Sequence, residues 1–200
     1  CIRDRSLSNG QKYLTKFLIN ASGPMISKTF ESVLPLKSLY PIRLIQGSHI
    51  IVKKLYKENK SYILQQPDKR IVFIIPYLDK YSLIGTTELE VESATKPQIT
   101  NEEKEYLIEC VNRFAKDKLS SKDILWNYSG VRPLIVDKSK SISSNSRDYH
   151  LDVQLKTSRL INIFGGKLTT YRKLSEKTVD EIDKHPVSYT HLRAHETLIY

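Results

Sequence analysis

With only two cysteines, Cys1 and Cys110, in 200 residues, the chain cannot build a disulfide framework or a zinc cage. Cys110 falls on the apolar spacing of a helix and reads as a small core residue. No apolar run approaches the ~20 residues that span a bilayer, and no signal-peptide pattern is present, which leaves peripheral contact as the open membrane role. Acid is in deficit: 22 Asp and Glu against 32 Lys and Arg give a formal charge of +10. Basic surfaces favour nucleic acid, anionic membranes or phosphorylated substrates. Much of this excess is scattered lysine, as at Lys53-Lys54, Lys138 and Lys140, and reads as solvated surface. Methionine is almost missing, with Met25 alone, and the residues after Cys1 read as the interior of a longer protein. Residues 187–200, containing Val187 to Thr197, read as a translated sequencing adapter and are set apart from the fold. His191 and His195 fall inside that stretch, so their spacing is not taken as a metal motif, and no metal site is expected.

What is present is a change of texture. Tyr13 to Ala21 reads as a strand, Ser22-Gly23-Pro24 breaks it, and Pro24 suits the first turn of a helix running to about Ser32. That strand–turn–helix belongs to an α/β nucleotide-binding architecture. Leu34 to Pro41 reads as a crossover. Apolar runs then follow at short spacing: 43–52, whole or broken at Gly47, then 61–65, 70–77 and 81–87, with a turn at Pro67-Asp68-Lys69. Closely spaced strands imply an antiparallel sheet. Thr100 and Glu103 form a capping box, and Leu107, Ile108, Val111, Phe114 and Leu119 recur at helical spacing, predicting a helix that covers the sheet. Strand texture returns at 123–128, residues 138–146 read as a serine-rich loop, and 149–155 with 159–164 read as a hairpin. Leu168, Tyr171, Leu174, Val179 and Ile182 line a final helix.

The most informative stretch is Gly165-Gly166-Lys167-Leu168-Thr169, between an apolar strand and that helix. Glycines bring the backbone close to a ligand, and a helix start offers N–H donors and a positive dipole end. Such a corner suits a phosphate or a redox ring that becomes negative on reduction. Arg132, Arg147 and Lys167 stand at expected strand ends or turns and could grip a phosphate dianion, two as forks and one as a point charge. Arg147 alone reads equally well as a surface partner of Asp148 or Asp152. His49 after Gly47-Ser48 can exchange a proton near neutral pH, yet a lone histidine there is more often structural. Thr86-Thr87 offers hydroxyls, or plain β-propensity. Tyr77 and Tyr128 sit among apolar neighbours and read as core.

Taken in order, Asn20-Ala21-Ser22-Gly23-Pro24, Arg43 to His49, Ile74 to Tyr77, Ser82 to Thr87, Tyr128 to Leu134, Ser146 to Tyr149 and Phe164 to Leu174 resemble the FAD-dependent glycerol-3-phosphate dehydrogenases over roughly residues 10–185. Ser22, Met25 and Ser146 depart from the usual family residues without changing a charge or a glycine. The resemblance implies a mixed α+β and α/β fold. Part of a glutathione-reductase-like FAD-binding domain would occupy 1–35 and 164–186, and an antiparallel-sheet substrate domain with a covering helix would occupy 36–163. It implies FAD as cofactor, against Ala21, Ser22, Gly23, Gly165, Gly166, Lys167, Leu168 and Thr169. Arg132, Arg147, Lys167 and Thr86 would bind the substrate, with His49 or Arg132 as catalytic base. The implied reaction is oxidation of sn-glycerol 3-phosphate at C2 to dihydroxyacetone phosphate, with electrons passed to a membrane quinone. The implied setting is cytoplasmic, at the inner face of the cell membrane. A homodimer is compatible with this, and nucleic acid is not an expected partner. The pyrophosphate-binding glycine fingerprint and a C-terminal helical domain lie outside the sequence, so the chain by itself is expected to be inactive. Another FAD-dependent amine or amino-acid oxidase of the same fold, and a basic nucleic-acid-binding module, stay open as alternatives.

Overall fold

The computed structural model describes residues 3–6, 9–33, 40–135, 149–155 and 159–185. In chain order these form β1 (Arg3–Ser6), β2 (Lys12–Thr15), β3 (Leu18–Asn20), α1 (Ile26–Val33), β4 (Ile42–Lys53), β5 (Tyr62–Gln65), β6 (Ile71–Tyr77), β7 (Tyr81–Gly85), β8 (Leu89–Val91), α2 (Asn101–Asn112), β9 (Trp126–Ile135), β10 (His150–Gln154), β11 (Leu160–Phe164) and α3 (Tyr171–Asp183). They divide into two compact units, one of residues 1–21 with 148–200 and one of residues 22–147. The boundary expected near residue 36 falls outside the described residues, and the one at 163 falls at the end of β11.

The larger unit is built on a six-stranded antiparallel sheet. The run at 43–52 is a single strand: β4 continues through Gly47. Along one edge it pairs with β9 from Ile42↔Ile135 to Ile51↔Trp126. Its other edge is shared end to end by β7 and β8. Alternation sets the two faces. The row Tyr62, Ile74, Ile84, Ile50, Asn127 looks toward α2, and its three isoleucines are fully or almost fully buried. Leu107, Ile108, Cys110 and Val111 of α2 complete that core. The capping box forms as expected, Thr100 Oγ1 accepting from Glu103 N–H at 3.2 Å. Phe114 does not join the core. The helix ends at Asn112, and Phe114 is 56 % exposed.

The opposite face is open. One row runs Ile63, Phe73, Gly85, His49, Tyr128, and the next of the same face runs Ile75, Leu83, Ile51, Trp126. Tyr77 and Tyr128, expected in the core, belong to this face and are 37 % and 41 % exposed. Apolar residues near them in sequence divide between the two faces, Ile74 going to the core side and Ile75 and Trp126 to this open one, so local hydrophobicity misleads there.

In the smaller unit, the predicted first strand is two, β2 and β3, interrupted at Lys16-Phe17. The expected hairpin forms between β10 and β11, and β11 pairs in parallel with β3. Asn20, Asn162 and Asp152 occupy one cross-strand row, buried and hydrogen-bonded in series: Asn20 Nδ2 donates to Asn162 Oδ1, and Asn162 Nδ2 to Asp152 Oδ2. In α3 the inward residues are Leu174, Thr178 and Ile182; Tyr171 and Val179, expected on that stripe, are exposed.

Candidate active site

On the open face of the large sheet, glycines make a floor and polar side chains stand over it. Gly47 lies opposite Gly130, and Gly85 lies opposite His49. A methyl group at Gly85 would come within 2.6 Å of His49 Cγ. A methyl group at Gly47 would come within 2.6 Å of Thr86 Oγ1 and 2.9 Å of Arg132 Cζ. Glycine inside a strand often marks such close approach. Three of the residues singled out from the sequence, His49, Thr86 and Arg132, are thus brought together. Arg132 Nη2 donates to Thr86 Oγ1 at 3.0 Å, and Thr86 Oγ1 donates to the carbonyl of Thr87 at 3.1 Å. Arg132 was expected at a strand end or turn; it lies inside β9, opposite Ile45, because β9 extends through Pro133. Proline is tolerated there since, among the described residues, β9 pairs on one side only, with β4.

The His49 ring stacks on Tyr128, with centroids 4.9 Å apart and planes 9° from parallel. Its Nδ1 is buried and has no hydrogen-bond partner among the described residues. Burial, and then the neighbouring Arg132 charge, hold the His49 pKa below the usual histidine value. The imidazole is therefore kept neutral beside a permanent cation, which separates a proton acceptor from an anion binder. Tyr128, on the same cross-strand row as His49, was missed as a site residue. The available signal was Gly47-Ser48-His49 within β4 and Gly85-Thr86 at the end of β7.

Behind this floor lies a second polar cluster. Glu103, expected only as a helix cap, is buried at 7 % exposure. Its Oε1 accepts from Ser48 Oγ at 2.8 Å and from Thr87 Oγ1. Its Oε2 accepts from Gln46 Nε2 at 2.9 Å and from Thr100 N–H at 2.9 Å.

The other expected residues occupy the smaller unit or its border. β11 delivers the chain to Gly165 and Gly166, whose φ angles of 72° and 97° lie in the region glycine favours. A 3-10 turn, Leu168–Thr170, then leads into α3. Lys167 N–H donates to Thr170 Oγ1 at 3.2 Å, closing the turn. Leu168 and Thr169 open the helical stretch, where backbone donors lack intrahelical acceptors, and Leu168 is 88 % exposed. A helix start beside two glycines and an exposed apolar side chain has the chemistry to take a flat heterocycle with an electron-rich edge, such as an isoalloxazine. Ala21 closes the smaller unit, while Ser22 and Gly23 open the larger; Gly23 also has a positive φ of 56°. Arg147 lies outside the described residues.

The chain is similar to known proteins over most of its length. It is 43 % identical to the aerobic glycerol-3-phosphate dehydrogenase of Escherichia coli (strain K12), covering 90 % of this chain and 37 % of that protein. It is 36 % identical to the D-erythritol 1-phosphate dehydrogenase of Brucella abortus (strain 2308), covering 92 % of this chain and 37 % of the other. Among solved structures, the glycerol-3-phosphate dehydrogenase of Bacillus halodurans, complexed with FAD, superposes with a TM-score of 0.72 at 26 % identity, over 88 % of this chain and 34 % of that one. The chain thus spans a little over a third of the length of these curated relatives. The profile of the FAD dependent oxidoreductases matches residues 3–172, and the chain belongs to that family.

Proposed function

We propose that the chain is the substrate-sheet and flavin-corner portion of an enzyme that oxidises sn-glycerol 3-phosphate at C2 to dihydroxyacetone phosphate. The observation that carries this is the convergence of Arg132, Thr86 and a neutral His49 over the Gly47–Gly85 floor. A phosphate ester brings two negative charges. Arg132 supplies a fixed cation with a fork of donors, already oriented by Thr86. Lys167 adds a point charge in the smaller unit, and Arg147 a second fork. His49, held uncharged beside Arg132, is the base that takes the C2 hydroxyl proton. Arg132 stays protonated at any working pH and is assigned to binding and charge stabilisation. FAD, when bound, supplies the hydride acceptor, and Gly165, Gly166, Leu168 and Thr169 hold its ring edge with Ala21, Ser22 and Gly23 along the rest of it. Helix-start donors there would stabilise the negative charge that reduction brings. Onward delivery of electrons to a membrane quinone fits the relative described as aerobic.

The Brucella relative, named for a phosphorylated four-carbon polyol, favours the phosphate ester as the recognised group over the carboxylate of an amino-acid oxidase substrate. The test is Arg132→Ala in the full-length enzyme that carries this segment. It should lower kcat/KM for glycerol 3-phosphate far more than it lowers FAD content. Equal loss of both would make Arg132 a structural residue.

A further inference from the structure

We infer that Glu103 is a positioning residue: its buried carboxylate fixes Thr86, and through Thr86 the Arg132 guanidinium, from the far side of the sheet. This assignment rests on the function proposed above.

The four donors to Glu103 come from separate parts of the large unit: Gln46 and Ser48 from β4, Thr87 from the segment after β7, and Thr100 at the start of α2. A carboxylate offers about four acceptor positions, and here all are used. A helix cap alone needs only the Thr100 contact and is normally made at the surface. Glu103 is instead buried, and so are its partners Gln46, Ser48 and Thr87, at 4 %, 0 % and 2 % exposure.

Filling the carboxylate fixes the direction of every hydrogen bond around it. Thr87 must give its proton to Glu103, so its oxygen is left to accept from Ser48 N–H at 2.9 Å. Ser48 also gives its proton to Glu103, so in its 2.8 Å contact with Ser129 the donor is Ser129. Thr87 N–H returns to the Ser48 carbonyl at 3.3 Å. The segment after β7 is thereby pinned to β4 on both sides of one residue. Its neighbour Thr86 then points to the opposite face, where it both donates to the Thr87 carbonyl and accepts from Arg132. His49 follows Ser48 directly in the chain. One acid thus ties down the backbone on either side of the glycine floor without touching anything above it.

The experiment uses the full-length enzyme. Thr87→Val keeps the β-branched shape and removes the hydroxyl, while Thr87→Ser keeps the hydroxyl. Glu103→Gln spares the helix cap: Gln46 Nε2 and Thr100 N–H can only donate, so the amide oxygen turns to them and its NH₂ faces Thr87 and Ser48. We expect Thr87→Val and Glu103→Gln each to lower kcat/KM for glycerol 3-phosphate by roughly 10–100-fold, mainly through KM, the scale of a catalytic group misplaced by about 1 Å. Thr87→Ser should stay within about threefold of wild type, and the double variant Glu103→Gln/Thr87→Val should be no worse than the poorer single, as for one coupled unit. FAD per folded protein should stay near wild type in all of them. The inference is overturned if Thr87→Val and Glu103→Gln keep kcat/KM within about twofold, if Thr87→Ser is as impaired as Thr87→Val, or if activity falls only in step with bound FAD. Should Glu103→Gln fail to fold, the Thr87 pair decides alone. Failure of the substrate assignment looks different: the unaltered enzyme would not reduce its flavin with glycerol 3-phosphate, and the inference would fall with it.

Discussion

Replacing Gly47 by alanine should separate stability from activity. The methyl group would lie 2.6 Å from Thr86 Oγ1 and 2.9 Å from Arg132 Cζ. Ordinary contact begins at 3.4 Å, so the Thr86 oxygen must retreat by about 0.8 Å, and the guanidinium, whose Nη2 lies nearer than its Cζ, by at least as much. Their mutual 3.0 Å hydrogen bond cannot survive both movements in its present geometry. A displacement near 1 Å at a binding group costs up to ~10²-fold in rate, or about 2.7 kcal/mol of transition-state stabilisation. The fold responds otherwise. Gly47 does not use the positive-φ region, so alanine gains ~0.5–1 kcal/mol through the unfolded chain. Crowding offsets some of this, but the groups crowded are side chains on the open face and can move. Net stability should change by less than about 1 kcal/mol, while kcat/KM for glycerol 3-phosphate falls roughly 30–100-fold. The assay is steady-state oxidation by the full-length enzyme, alongside thermal melting and the flavin-to-protein absorbance ratio. Activity within about threefold of wild type would refute the glycine-floor argument. So would a loss of activity matched by loss of folded protein.

Other outcomes follow from the same geometry. Gly85→Ala places its methyl 2.6 Å from His49 Cγ and should push that ring off Tyr128, lowering kcat more than it raises KM; a pure KM effect would count against His49 as base. His49 has a folded pKa below its unfolded value near 6.5, so kcat/KM should stay level down to that pH and fall only below it. In the His49→Gln protein that acid limb should be gone; a limb retained there assigns the titration to another group. By the same linkage His49 contributes stability that is complete above pH 6.5 and is lost as pH falls through the depressed value, which denaturant midpoints between pH 7 and pH 5 would register. Arg132→Lys keeps the charge but loses the fork and should still cost about tenfold or more in kcat/KM; full activity would show that a point charge suffices. Leu107→Ala, at a fully buried contact between α2 and the sheet, should destabilise by about 2–5 kcal/mol in chemical denaturation and leave KM alone.

The parts legible in the sequence were those governed by local rules. Alternation and turn residues located β4 to β7, but not β8, and found only the start of β9, expected at 123–128 and observed as Trp126–Ile135; the Thr100–Glu103 capping box located α2. His49, Thr86 and Arg132 were picked out singly by side-chain chemistry. What the sequence did not display was register. Only the pairing of His49 with both Gly85 and Tyr128, and of Ile45 with Arg132, places these residues on one face. The exposure of Tyr77 and Tyr128 was hidden for the same reason, since an apolar neighbourhood in sequence splits between two faces in a sheet. Glu103 shows the limit of motif reading. The capping box was correctly found, yet the motif explains one of its four accepted hydrogen bonds, and the other three arise from β4 and the segment after β7, more than fifteen residues away in sequence.

The measurement that bears most directly on the account is anaerobic bleaching of the flavin in the full-length enzyme, with glycerol 3-phosphate and plain glycerol as alternative reductants, for wild type and Arg132→Ala. A cation held over a glycine floor for a phosphate ester predicts rapid bleaching by the ester alone in wild type, and slow bleaching by it in Arg132→Ala at equal FAD content. Equal bleaching of the wild type by uncharged glycerol would contradict it.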